Sequence, residues 1–114
     1  MTAETPIWMP VYVADYLADT GHLSTVEHGA YWLLLLHYWR NGDVLPDDPA
    51  ALCRITKLTR EEWERHSDTL RALFQPKGGK LVHKRVEKEL AEAFERMSAR
   101  SHSARTAANV RWEK

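Results

Sequence analysis

Residues 22–39, HLSTVEHGAYWLLLLHYW, decide the fold. Ser24 and Glu27 stand in an S-x-x-E arrangement, in which the serine side chain accepts the Glu27 amide and the carboxylate reaches back to the Ser24 amide. That places a helix start at about Ser24. From there Val26, Ala30, Tyr31, Leu33, Leu34, Leu35, Tyr38 and Trp39 put apolar surface on most faces until Asn41-Gly42 ends the helix. A helix apolar nearly all round is expected to be a largely buried spine. His28 falls at the fourth helical position, where it can pack against Leu23 as a staple.

The same stretch raises the question of chemistry, because His22, Glu27, His28 and His37, with Cys53 downstream, are metal-ligand types. Their spacing argues against a site. His28 and His37 lie nine residues apart, about 13.5 Å of helical rise, and the order is not the H-E-x-x-H that sets two imidazoles one turn apart. Glu27 is already used by the cap. Cys53 is expected to be a buried structural thiol. With no glycine-rich phosphate loop, no G-x-S-x-G and no paired cysteines, the expectation is a protein without catalytic residues, metal or cofactor, and so not an enzyme.

Upstream, IWMPVYV (Ile7–Val13) has strand-like content that Pro10 restricts to an edge or to two short pieces. ADYLADTG then reads as a short helix stopped by Gly21. Downstream, GDVLPDDP is turn chemistry leading into a short helix from about Asp47, and Ile55–Leu58 reads as a tight turn. Thr59 and Glu62 repeat the capping pattern and open a helix with Trp63, Leu70, Leu73 and Phe74 on one side. Pro76-Lys77-Gly78-Gly79 is a hairpin turn followed by KLVHKRV. From about Lys84 a last helix carries Val86, Leu90, Ala93, Phe94 and Met97, with Arg85/Glu89, Lys88/Glu92 and Glu92/Arg96 at i,i+4. Beyond Ser98 the chain is small, polar and basic, a helical extension or a frayed tail.

The fold class expected is mainly α (α+β): a winged helix-turn-helix with a hairpin wing at Gln75–Lys80 and a C-terminal helix. Residues 1–97 form the domain and 98–114 the basic tail. At 114 residues one core is expected, and 44% hydrophobic with 28% charged residues is globular composition. The first residues lack a basic and apolar leader pattern, and the longest apolar block is far short of a membrane span. A cytoplasmic protein is the reading.

The resemblance lies in DYLADTGHLSTVEHGAYWLLL, LPDD, GGKLVHKRVEKEL and ARTAANVRW. With these the chain resembles the YdaU-like phage and prophage domain family over about Trp8 to Trp112. The resemblance implies a winged-helix fold, a prophage setting and a link to DNA replication or its control, and hence a phage or host replication protein as a possible partner.

Charge suggests where a nucleic acid would sit. The net charge is zero, but residues 1–75 hold 6 Lys/Arg against 11 Asp/Glu and residues 76–114 hold 10 against 5. The candidate DNA-binding residues are Lys77, Lys80, Lys84 and Arg85 around the wing, extended by Arg96, Arg100, Arg105 and Arg111. The helix opening at Arg60 has a net negative face (Glu61, Glu62, Glu64, Asp68), so major-groove entry is disfavoured and Lys57, Arg60 and Arg65 are its only candidate contacts. The alternative is an oligomerisation or protein-interaction module without DNA binding. In either case the opposite charge of the two chain regions favours a homodimer.

Overall fold

The computed structural model describes residues 8–112, with side chains to residue 99. The described residues form five helices and a small antiparallel sheet: α1 (Val13–Asp19), α2 (Thr25–Asn41), β1 (Leu45–Pro46), α3 (Pro49–Thr56), α4 (Arg60–Arg71), β2 (Gln75–Lys77), β3 (Lys80–Val82) and α5 (Lys84–Trp112). The architecture is mainly helical with a three-stranded sheet of order β1-β3-β2.

Local chemistry sets the helix ends. Both α2 and α4 begin in complete capping boxes, Ser24 with Glu27 and Thr59 with Glu62. Asp48 caps α3 ahead of Pro49, which needs no amide partner in the first turn. Gly42 ends α2 in the left-handed region, where the lack of a Cβ removes the steric cost. Lys57 takes the same conformation after α3 with φ 64°, the one described non-glycine residue to do so.

The spine is α2. Ala30, Tyr31, Leu34, Leu35, Tyr38 and Trp39 are buried and meet Leu52 of α3, Trp63 and Leu70 of α4, Phe74, Leu45 and Leu81 of the sheet, and Val86, Leu90 and Ala93 of α5. Burying Leu34, Leu52 and Leu70 contributes about 2 kcal/mol each by area.

Several expectations are corrected. Trp8–Tyr12 forms no strand; it runs irregularly, with Met9 packed on the core, and Ile7 lies outside the described residues. Leu45-Pro46, read as turn, is a strand, because Leu45 pairs with Leu81 across the sheet. Ile55-Thr56 belong to α3, so the turn before α4 is Lys57–Thr59. Beyond Ser98, where the sequence leaves a helical extension and a frayed tail as alternatives, the backbone continues as helix to Trp112, which is no correction. Cys53 is half-buried.

Candidate nucleic-acid interface

The wing is built by backbone chemistry. Gly78 and Gly79, with φ of 57° and 76°, are the two central residues of a tight turn, a conformation that only glycine and a few others adopt cheaply. The turn sets Lys77 directly opposite Lys80 in the antiparallel register. Residues directly opposite share a face, so two exposed lysines rise from the same side of the hairpin, and like charges at opposed positions are unfavourable unless an anion is bound there. Lys84, exposed at the first position of α5, follows the same strand out. Among the described residues no carboxylate lies within ion-pair distance of Lys77, Lys80 or Lys84.

The other candidate cations are placed differently. Arg85 turns away from the wing: Nη1 donates to Asp15 at 3.0 Å and the guanidinium stands 5.3 Å from the Tyr12 ring centroid. The expected Arg85/Glu89 pair gives way to this contact. Glu89 is buried, and hydrogen bonding to it, followed by its charge, pushes the Tyr12 hydroxyl up in pKa. Arg60 pairs with Glu64 at 3.2 Å and Arg65 approaches Glu61 at 4.0 Å, both exposed and so weakly held. Lys57 is exposed at the α3 cap. Arg96 is exposed about 18 Å along the α5 axis from Lys84. The side chains of Arg100, Arg105 and Arg111 lie outside the described residues; their helical positions extend to about 40 Å from Lys84. The wing lysines and the positions of the distal arginines are therefore spread along the axis of α5 and not gathered in one patch.

Behind the wing lies a polar network that the sequence does not reveal. The Tyr38 hydroxyl accepts the His83 amide at 3.2 Å and donates to the Glu87 carboxylate. The His83 side chain caps α5: Nδ1 accepts the Val86 amide at 3.3 Å, which leaves the proton on Nε2 to donate to the Tyr31 hydroxyl at 2.7 Å. Burial, followed by the Arg85 charge, lowers the His83 pKa. Burial pushes the Tyr31 hydroxyl up to about 12. Tyr31 stacks on Tyr16, whose hydroxyl hydrogen-bonds His28 Nδ1 at 2.9 Å. His28 thus meets α1 through a hydrogen bond as well as occupying the staple position.

Of the three histidines of the opening stretch, His28 and His37 are held by hydrogen bonds and His22 is exposed. Glu27, besides capping α2, accepts from His66 Nδ1 of α4 at 2.9 Å, and the Ser24 and His66 contacts hold its pKa low. His37 accepts from Asn41 Nδ2 at 2.8 Å, its pKa lowered by burial and by Arg40. Among the described residues no three His, Cys, Asp or Glu groups cluster as metal ligands, and no helix is long and apolar enough to cross a membrane.

This arrangement, with two basic positions opposed on a short hairpin and an acidic helix beside it, is carried by a chain that belongs to a defined family. Residues 7–91 match the family described as protein of unknown function (DUF1376), and the chain is a member of it. It is 39% identical over 104 residues to Escherichia coli (strain K12) "Uncharacterized protein YdaU", covering 91% of this chain. The chain spans 36% of that relative's length. No solved structure matches it.

Proposed function

We propose that the chain is a winged helix-turn-helix protein that binds duplex DNA through phosphate contacts, without sequence readout. The order α2-β1-α3-α4-β2-β3 and the sheet order β1-β3-β2 support the winged-helix reading, with α3 and α4 as the helix pair and β2-β3 as the wing. The observation that carries DNA binding is the Lys77–Lys80 cross-strand pair, two like charges held together on the wing without a carboxylate. A phosphate between them turns a repulsion into two charge-assisted contacts. Lys84 supplies a third. The acidic face of α4, whose arginines already meet Glu61 and Glu64, argues against base readout by that helix. On the family resemblance, the setting is phage or prophage DNA replication or its control in the cytoplasm. We assign no enzymatic step and no cofactor.

The test is fluorescence anisotropy with a labelled duplex at low and at physiological salt. Affinity should fall with salt at a slope reflecting about three phosphate contacts, and Lys77→Glu with Lys80→Glu should abolish it. No binding of the unaltered chain at low salt refutes the reading.

A second reading, an interaction module, is favoured by a separate observation: Trp8, Val13, Leu17, Trp32 and Leu36 are large, apolar and exposed.

A further inference from the structure

An open recess of about 370 Å³ is lined by the end of α1, the connection between α4 and β2, and the junction of β3 with α5. Asp19, Tyr31, Phe74, Gln75, His83 and Lys84 form much of its wall. Tyr31 and Phe74 are buried and give it an aromatic base, with the Phe74 ring edge-on to Tyr31 at 5.8 Å and to His83 at 5.4 Å. Asp19, Gln75 and Lys84 are exposed around that base. The recess adjoins the wing: Gln75 opens β2 opposite Val82, and Lys77 follows about 7 Å along the same strand.

One polar group in this wall is unmatched. His83 Nδ1 accepts the Val86 amide, so the proton on Nε2 is donated to the Tyr31 oxygen. Tyr31 is therefore the acceptor in that bond, and its own hydroxyl proton has no acceptor among the described residues. With Tyr31 only 6% exposed, a donor left without a partner is costly. Asp19, whose charge reaches both Tyr31 and His83, stands in no ion pair among the described residues.

The recess thus sets a donor at Tyr31, an acceptor at Asp19, an amide at Gln75 and an ammonium at Lys84 around an aromatic base. A ligand that answers all of these is flat, carries a carbonyl or ring nitrogen beside an N–H, and ends in an anion. A nucleotide has that form, since its base presents adjacent donors and acceptors on one edge and a face that packs on aromatic side chains. The volume lies within the range of small-ligand pockets, about 300–1,000 Å³.

We propose that this recess binds a nucleotide, the base held by Tyr31, Asp19 and Gln75 and the phosphate by Lys84. Arg85, which also lines the recess, is held by Asp15 and is not required. Two sources share this chemistry: a free nucleotide, or an unpaired nucleotide at the end of a duplex, and the second rests on the DNA-binding reading.

Two titrations of the full chain test this. Calorimetry with deoxyadenosine monophosphate and thymidine monophosphate, against inorganic phosphate as control, probes the free nucleotide. Fluorescence anisotropy with a blunt duplex, and with the same duplex carrying a short single-stranded overhang, probes the DNA end. Mononucleotide binding well above that of phosphate, or an affinity about tenfold higher for the overhang, is expected. Asp19→Ala, Gln75→Ala and Tyr31→Phe should each reduce that gain severalfold, with circular dichroism as for the unaltered chain. Removing a carboxylate favours a polyanion by charge, so a loss with Asp19→Ala reports a missing hydrogen bond and not electrostatics.

Mononucleotide binding without an overhang preference assigns the recess to free nucleotides, and the converse assigns it to DNA ends. Equal affinity for both duplexes, with no mononucleotide binding beyond that of phosphate, overturns the proposal; salt-dependent binding of the blunt duplex then leaves the wing reading standing. A gain that survives all three variants overturns it too, because the base then sits elsewhere. Mononucleotide binding by a chain that binds no duplex refutes the wing reading alone.

Discussion

The Tyr38 hydroxyl accepts a hydrogen bond from the backbone amide of His83 at 3.2 Å, forty-five residues away, and donates one to the Glu87 carboxylate. One side chain of the spine thus supplies a partner to the amide where β3 gives way to α5, and fixes the direction in which α5 leaves the wing. Burial, reinforced by the Glu87 hydrogen bond, raises the Tyr38 pKa, so it remains a neutral donor. Replacing it by phenylalanine removes one acceptor and one donor from a site that excludes water. Tyr38→Phe should cost about 1–3 kcal/mol, read as a lower urea midpoint at unchanged slope. A midpoint within error of the unaltered chain would show that water takes over both bonds.

His83 makes stability depend on pH. Its folded pKa lies below the ordinary 6.5 because the imidazole is buried and because of the Arg85 charge. The unfolded chain binds a proton at about 6.5 when the folded one does not, so the contribution is present above 6.5 and is lost as pH falls from there to the folded value. His37, lowered for a similar reason, adds in the same direction. Glu27 has a depressed carboxylate pKa, and its contribution is lost only below about 4.5 as the folded group protonates. Urea midpoints should therefore drop between pH 7 and pH 5. His83→Asn, which keeps a capping acceptor and removes the titration, should make the drop shallower. An unchanged slope would assign the effect to other groups.

The two capping boxes should differ in worth. Ser24 orders a carboxylate that also receives His66 across the core, whereas Thr59 orders Glu62 on an exposed turn. Ser24→Ala is expected to cost about 1 kcal/mol, and Thr59→Ala less. Thermal melts of the two variants, with equal shifts, would mean that the Glu27–His66 contact does not depend on the cap.

These boxes also show why some of the fold is legible in the sequence and some is not. A cap is complete within four residues, so the starts of α2 and α4 can be read directly, as can the Gly78-Gly79 turn between two short strands. β1 cannot, since two residues containing a proline become a strand only when Leu45 meets Leu81. Trp8–Tyr12 misleads in the opposite sense. Its aromatic and β-branched content suits a strand, but Met9 is taken up by the helical core and no strand edge lies alongside. Ion pairs are the least legible. Glu27 finds His66 thirty-nine residues on and Asp15 finds Arg85 seventy residues on, and no local pattern marks either. For that reason Arg85 reads in the sequence as part of the wing, when the folded chain uses it to hold α1.

Arg85 gives the sharpest separation between holding the fold and meeting phosphate. It donates to Asp15 and faces the Tyr12 ring, so both its contacts tie α1 and the segment before it to α5. The pair is about half-exposed, and its removal should cost the whole domain little. The local effect should be larger, because α1 buries no residue of its own. Arg85→Ala is expected to lower hydrogen-exchange protection and raise protease sensitivity in residues 12–20 while the urea midpoint moves only slightly. Its duplex affinity should stay near that of the unaltered chain, in contrast to Lys80→Glu. If Arg85→Ala weakens DNA binding as much as Lys80→Glu does, Arg85 leaves Asp15 to contact phosphate and α1 is released on binding.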